Sequence, residues 1–271
     1  MNNPLHYLPI ASTVISLLFV IALVNRARER GWPPHLNWWI VGVAFYGLGT
    51  LLESIITLNG NTLMLNRLWY WAGAILGGYP LATGSVYLLH KRRTANILTG
   101  VSFLAVIVAS VAVFLTPLIE GNLNLAKPSG DILAWRWVRY MTPFINGYAA
   151  IFLIGGAVQS SVRFFESPEM RGRAYGTALI AVGALLPGIG GSMAKAGIVE
   201  ALYVGELLGL ILIWWGYVLC TRAPKPIAGY GGDRAQAVDE VGGNSVDMED
   251  VVIEHKPDLV AVQLGDEGTD T

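Results

Sequence analysis

Six ionisable side chains lie within or beside the long apolar segments of this sequence. They are Glu53, Arg136, Arg139, Lys195, Glu200 and Glu206. An ionised group is costly to place in hydrocarbon, so each is a candidate functional residue by default. A carboxylate there can hold a cation or a proton, whereas an arginine or lysine can hold an anionic group. Three carboxylates and three cations can also pair with one another, so the alternative is a set of ion pairs that locks helices together.

The predicted ligand site combines four of these residues with one aromatic neighbour. In this site Glu53 or Glu206 holds a cation or a proton, and Arg139 or Lys195 holds an anionic group. Lys195 lies close enough to a segment end for its ammonium group to reach the interface. Tyr70 belongs to an aromatic run that opens the third apolar segment, and it completes the predicted site.

Small residues surround a proline in the sixth apolar segment, between Gly183 and Ser192. Pro187 removes one backbone hydrogen bond, which favours a kink or break beside Lys195, and broken helices often line polar cavities. Glycines also let two helices approach closely. The alternative is therefore simple close packing against a neighbouring helix.

Enzyme and metal motifs are absent from the sequence. It has no HExxH pair, no GxSxG elbow and no Walker A loop, and its histidines fall at segment ends, in loops or near the C-terminus. A single cysteine, Cys220, excludes an internal disulfide and a multi-cysteine metal site. We therefore predict that the protein is not an enzyme, holds no metal or cofactor, and does not bind nucleic acid.

Seven apolar segments must position the candidate residues. A hydrocarbon core about 30 Å thick needs about 20 apolar residues per helix. The chain is 54% hydrophobic and only 14% charged, well below the roughly 25% charged residues of soluble domains. This pattern predicts an all-α, polytopic bundle of seven transmembrane helices. The predicted spans are 7–25, 36–58, 68–90, 95–117, 135–162, 174–196 and 198–220.

Lysine and arginine in the loops predict the orientation of this bundle. Eleven fall on one side of the spans and five on the other. Cytoplasmic loops carry the excess of these residues, so the N-terminus is predicted outside and the C-terminus in the cytoplasm. The expected location is the cell membrane, as a multi-pass protein in contact with the lipid bilayer. All six ionisable residues then belong to the outer half of the membrane.

Charge also divides the chain into two parts. Residues 1–221 carry a balance of +6, and residues 222–271 carry −7. The second part is rich in glycine, proline and acids, which is typical of a disordered tail. We predict a transmembrane domain at 1–221 and a disordered acidic cytoplasmic tail at 222–271 that can bind a protein partner. The longest outer loop, 118–134, is either a lid over the outer face or a connector.

Helices two and three carry a motif that resembles a known family. Its residues are Tyr46-x-x-Gly49-x-x-x-Glu53, then Arg67-x-x-Tyr70-x-x-Gly73, then Pro80 and Tyr87-Leu88. Residues 36–93 resemble the seven-helix N-terminal sensor region of some bacterial membrane histidine kinases. The resemblance implies a ligand-sensing bundle with Glu53 in its site. No kinase domain follows the seventh segment in this sequence, so signalling is expected to pass through a partner protein.

Three classes of function remain open at this stage. The leading hypothesis is a sensor or receptor that binds a small ligand from the outer side. A small transporter or proton-coupled carrier is the second, and it requires a polar path that continues inward past Glu206. A structural subunit of a membrane complex is the third, with the charged residues acting only to hold helices together.

Overall fold

The computed structural model describes residues 4–125 and 127–222, except for the side chain of Lys195. Seven helices in this part are long and apolar enough to cross a membrane, which confirms the number predicted from hydropathy. The predicted tail, 222–271, lies outside the described residues apart from Arg222, so its disorder stays a prediction. The spans are Pro4–Glu29, Pro34–Asn59, Leu63–Leu89, Arg92–Leu115, Arg136–Phe165, Pro168–Ala194 and Glu200–Arg222.

Several spans extend beyond the predicted apolar limits. The first continues through Arg26 and Arg28. Arginine has an apolar stem and a charged head that reaches water, so a helix can pass the edge of the hydrocarbon without a break. Prediction from apolar residues alone therefore places some helix ends too early.

The third and fifth spans are each built from three helical pieces, because a π-helical turn interrupts them. The helices in chain order are α1 Leu8–Glu29, α2 Pro34–Asn59, α3 Leu63–Trp69, a π-helix Tyr70–Ile75, α4 Tyr79–Leu89, α5 Arg92–Leu115, α6 Arg136–Ala149, a π-helix Ala150–Gly155, α7 Gly156–Phe165, α8 Arg171–Lys195 and α9 Glu200–Arg222.

Local sequence explains where α2 begins and ends and where α3 begins. Pro34 occupies the first turn of α2, where its missing N–H is harmless. Gly60 ends α2 with a φ of 84°, a conformation that other residues rarely adopt. Thr62 then caps α3, because its hydroxyl accepts a hydrogen bond from the backbone N–H of Leu65 at 3.2 Å.

The third span lies at the centre of the bundle and is the most buried of the seven. It packs against α2, α5 and the fifth span, while α1 packs against both α2 and α9. The largest buried cluster joins this span to α5 and α6. Its members include Tyr70, Ile75, Tyr79, Val106, Val113, Val138 and Ile145.

Helices α8 and α9 form a closely packed pair through glycines. A Cβ added at Gly183 would lie 2.6 Å from the backbone oxygen of Gly209, and one added at Gly190 would lie 2.6 Å from that of Ala201. The backbones can approach only because neither glycine has a side chain. Helix α8 continues through Pro187 to Lys195. Close packing is therefore confirmed. A break at Pro187 is wrong, whereas a kink there stays a prediction.

The loop before α6 is folded onto the end of the third span. Ile132 and Leu133 are fully buried there. The buried Asn66 side chain accepts a hydrogen bond from Ser129 N at 2.9 Å and donates one to Ser129 O at 2.6 Å. We call this end of the bundle, where α1 begins, the N-terminal end. Its outward orientation stays a prediction from loop charge.

Candidate functional site

Glu53 is a fully buried carboxyl group on α2, with 1% of its surface exposed. Its Oε1 accepts a hydrogen bond from Trp69 Nε1 at 2.7 Å. Glycines bring the two helices together one turn away, because a Cβ at Gly49 would lie only 3.3 Å from Gly73 Cα. This close approach lets the Trp69 indole reach Glu53 directly.

Glu206 on α9 meets Glu53 across the bundle. The two carboxyl groups lie within interaction range of each other, and a hydrogen bond between them requires a proton on one of the two. The Tyr46 hydroxyl, also from α2, donates to the backbone oxygen of Glu206 at 2.7 Å. Residues distant in sequence thus form one polar cluster, and we call Glu53 and Glu206 the carboxyl pair.

The carboxyl pair has no cationic partner among the described residues. Ion pairs there join His6 to Glu200 at 3.3 Å, Arg26 to Glu29 and Arg139 to Asp131, and none includes Glu53 or Glu206. Apart from the contact within the pair, Oε2 of each carboxyl is buried and has no hydrogen-bond partner in the described part of the chain.

The alternative of ion pairs between the six ionisable residues therefore does not hold for Glu53, Glu206 or Arg139 among the described residues. The reason is geometric. Arg139 finds an acceptor nearer to its own segment end, because its Nη2 pairs with Asp131 at 2.6 Å. Arg67, a cation outside the six, likewise donates from Nη2 to the backbone oxygen of Thr116 at 2.6 Å. Glu53 and Glu206 are left beside each other without a counter-ion among the described residues.

Tyr70 and Arg139 form a second cluster beneath the folded loop. The Tyr70 hydroxyl makes a 2.7 Å hydrogen bond with Thr142 Oγ1 on α6. Gly130 lies over the Tyr70 ring and beside Arg139, and a Cβ there would be 3.6 Å from Arg139 Nε. Arg139 itself is partly exposed. This cluster closes the end of the third span rather than contacting the carboxyl pair.

The structure thus divides the predicted site. It brings Glu53 and Glu206 together and places Tyr70 with Arg139, while the side chain of Lys195 lies outside the described part. Trp69 and Tyr70 are consecutive residues that belong to different clusters, and their rings lie 6.5 Å apart. The two clusters are therefore linked through the start of the π-helix at Tyr70–Ile75.

Sequence reasoning missed two residues of the carboxyl-pair cluster, Trp69 and Tyr46. A usable signal existed for Tyr46. It lies seven residues before Glu53 and therefore shares a helix face with it. Trp69 had no such signal, because its contact with Glu53 depends on the packing of two spans.

Seven apolar helices of membrane-crossing length define a multi-pass integral membrane protein. Its described residues contain no group of three or more His, Cys, Asp or Glu side chains that could hold a metal ion. Comparison of the chain with protein-family models, curated proteins and solved structures finds no match.

Proposed function

We propose that this protein is a membrane sensor or receptor that binds a small ligand at the carboxyl pair, Glu53 and Glu206. The observation that supports this function best is the pair itself. The Oε2 atom of each acid is buried without a hydrogen-bond partner, and neither acid has a counter-ion among the described residues. A bundle that needed only to hold its helices together would be at least as stable with apolar residues there.

The position of Trp69 supports a sensing role. Trp69 Nε1 binds Glu53, and the next residue, Tyr70, binds Thr142 on α6. A ligand that changes the carboxyl pair would shift this hydrogen bond and strain the π-helix that follows. π-Helical turns are rare and occur frequently at functional sites. The fifth span, which continues to α7 at the opposite end, is then a route for the signal.

The resemblance of residues 36–93 to histidine-kinase sensor regions favours the same function. By this proposal the N-terminal end faces outward in the cell membrane, and the signal reaches a cytoplasmic protein partner through the acidic tail. A proton-coupled carrier is the second candidate, because a pair of carboxyls that share a hydrogen bond can also exchange a proton. Flux measurements in liposomes distinguish the two.

Thermal unfolding of the purified protein in detergent tests the proposal. Wild type and Glu206→Gln are compared across a library of metabolites and lipids, with Glu29→Gln as the control because Glu29 pairs with Arg26 at the opposite end. A ligand that binds the native state raises the melting temperature. We expect at least one compound to stabilise wild type and the control but not Glu206→Gln.

Two results would contradict the sensor. A compound that stabilises all three proteins equally would bind elsewhere. If no compound stabilises the protein and stoichiometric membrane partners co-purify with it, the protein would instead be a structural subunit of a membrane complex.

A further inference from the structure

We propose that the exposed face of the fifth span is the contact surface for a second copy of this chain, and that Asn146 forms its polar contact. The fifth span, Arg136–Phe165, is with the sixth the least buried of the seven. Across its apolar stretch 17% of the residues are buried, against 67% in the third span. The proposal goes beyond the ligand site and does not depend on it.

Asn146 is a polar residue exposed within the membrane-crossing part of this span. It lies ten residues after Arg136, which is about 15 Å along the helix at 1.5 Å per residue. Its carboxamide has no hydrogen-bond partner among the described residues. Lipid hydrocarbon offers neither a donor nor an acceptor, so an amide group left unpaired there is costly. A group from outside the described chain is therefore expected to satisfy it.

Helix α5 provides an internal comparison, because its surface is typical of one that faces lipid. Its exposed residues from Val101 to Leu115 are all apolar. The exposed face of the fifth span differs, since it includes the carboxamide of Asn146. In membranes, asparagine side chains form hydrogen bonds across helix contacts. The contrast within one chain thus distinguishes a surface for lipid from a surface for another helix.

Small residues around Asn146 would let another helix approach closely. The helical spacing i, i+3, i+4, i+7 places four residues on one face: Pro143, Asn146, Gly147 and Ala150. A Cβ added at Gly147 would meet no atom within 4 Å, so packing inside the bundle does not explain this glycine. Phe144 beside them is 80% exposed and adds apolar contact area. Small residues are enriched at contacts between membrane helices because they bring the backbones together.

The chemistry of this face favours a second copy as the partner. A carboxamide has two donors and an acceptor oxygen, so two identical asparagines can satisfy each other across a twofold axis. The span carries no Lys, Arg, Asp or Glu from Tyr140 to Val162. It therefore offers no charge to a partner helix of opposite charge. A small, apolar face around a residue that pairs with itself is complementary to its own copy.

The proposed contact surface lies close to the cluster beneath the folded loop. Thr142, which is hydrogen-bonded to Tyr70 at 2.7 Å, precedes Asn146 by four residues on α6. A rearrangement at Tyr70 would therefore act on the helix that carries Asn146. In the sensor proposed above, the contact between two copies would thus be sensitive to changes in the third span.

Energy transfer between differently labelled copies in lipid vesicles tests the proposal. Dyes are attached at Glu169→Cys in a Cys220→Ser background, and association is measured over a range of protein-to-lipid ratios. We expect wild type to form dimers. Asn146→Leu should weaken association about three- to thirtyfold, as expected for a hydrogen-bonded contact between membrane helices. Asn146→Gln keeps the carboxamide and should weaken it less.

A second pair of variants tests the surface by shape. Gly147→Leu should weaken association at least as much as Asn146→Leu, because the added side chain keeps the two helices apart while the bundle has room for its Cβ. Gly100→Leu on α5 is the matched control, since a Cβ there also has no atom within 4 Å. It should associate as wild type does.

Oxidative cross-linking in native membranes identifies the face in contact. In the Cys220→Ser background, Ala150→Cys should form a covalent dimer of this chain. Val108→Cys, which is exposed on α5, should remain a monomer under the same conditions.

The inference fails if the protein is monomeric at every protein-to-lipid ratio, or if Asn146→Leu and Gly147→Leu both associate as wild type does. It also fails if Ala150→Cys cross-links only to a different protein, because another partner would then cover this face. These results are independent of the ligand screen. A monomer that binds a ligand at the carboxyl pair retains the sensor proposal alone, and a dimer without a ligand retains the contact surface alone.

Discussion

Glu53 shows how one buried side chain can be held without a counter-ion. Its Oε1 receives a hydrogen bond from Trp69, and its carboxyl contacts that of Glu206. An indole N–H stabilises negative charge on a carboxyl group by donation. The residue therefore remains buried with a hydrogen bond on Oε1, whereas its Oε2 has no hydrogen-bond partner among the described residues.

Replacing Trp69 by phenylalanine should reveal the contribution of this hydrogen bond. The ring volume is largely kept, but Glu53 Oε1 loses its donor, so we expect the free energy of unfolding to fall by about 1–2 kcal/mol. Chemical unfolding in detergent measures the change. Trp137→Phe is the matched control, because Trp137 is exposed on α6. If both variants are equally stable, the bond to Glu53 does not support the fold.

At the scale of elements, the closest helix contact is the one between α8 and α9. Backbone atoms meet where both helices have glycine, as at Gly183 and Gly209 and again at Gly176 and Gly216. Such contacts are stabilised by van der Waals attraction, and larger side chains would prevent them. This attraction matters in a membrane because lipid provides no hydrophobic driving force between helices. This pair is therefore the frame that holds Glu206 in position toward α2.

Gly183→Ala should separate α8 from α9. The added methyl group would lie 2.6 Å from the Gly209 oxygen, and overpacking of this kind lowers stability by about 1–3 kcal/mol. Gly188→Ala on the same helix is the control, since a Cβ there has no atom within 4 Å. Thermal unfolding compares the two variants. Equal melting temperatures would show that the helices have room to part without loss of stability.

Consecutive spans cross the membrane in opposite directions. Once one helix end is assigned to a side of the membrane, the side of every other helix end follows. Loop charge predicts that the N-terminal end faces outward. We expect a cysteine at position 122, in the loop before α6, to react with a membrane-impermeant thiol reagent in intact cells. A cysteine at position 169, between α7 and α8, should react only after the membrane is opened.

Both cysteines are introduced as Asn122→Cys and Glu169→Cys in a Cys220→Ser background, which removes the single native thiol. The opposite labelling pattern would reverse the orientation and place the carboxyl pair near the cytoplasmic side. The ligand of the proposed sensor would then have to come from the cell interior.

The sequence by itself determined the seven spans of this protein. Hydropathy is a local property and the bilayer sets the required length, so the number of helices and their approximate limits could be predicted without knowledge of packing. The same reasoning identified Glu53 and Glu206, because an acid inside an apolar segment is visible in the segment itself. Close packing at Gly183 was also foreseen, as one of two alternatives.

Only the tertiary structure decided which polar groups meet. Glu53 and Glu206 lie on different helices far apart in sequence, and their contact depends on the rotation and depth of α2 and α9, which hydropathy does not report. The sequence left Arg139 open to pairing with the acids of the apolar segments, but in the fold its partner is Asp131 of the loop. Trp69 became a site residue because two glycines let its span approach α2. Contacts between distant segments set the chemistry of the site, whereas local composition set the helices that carry it.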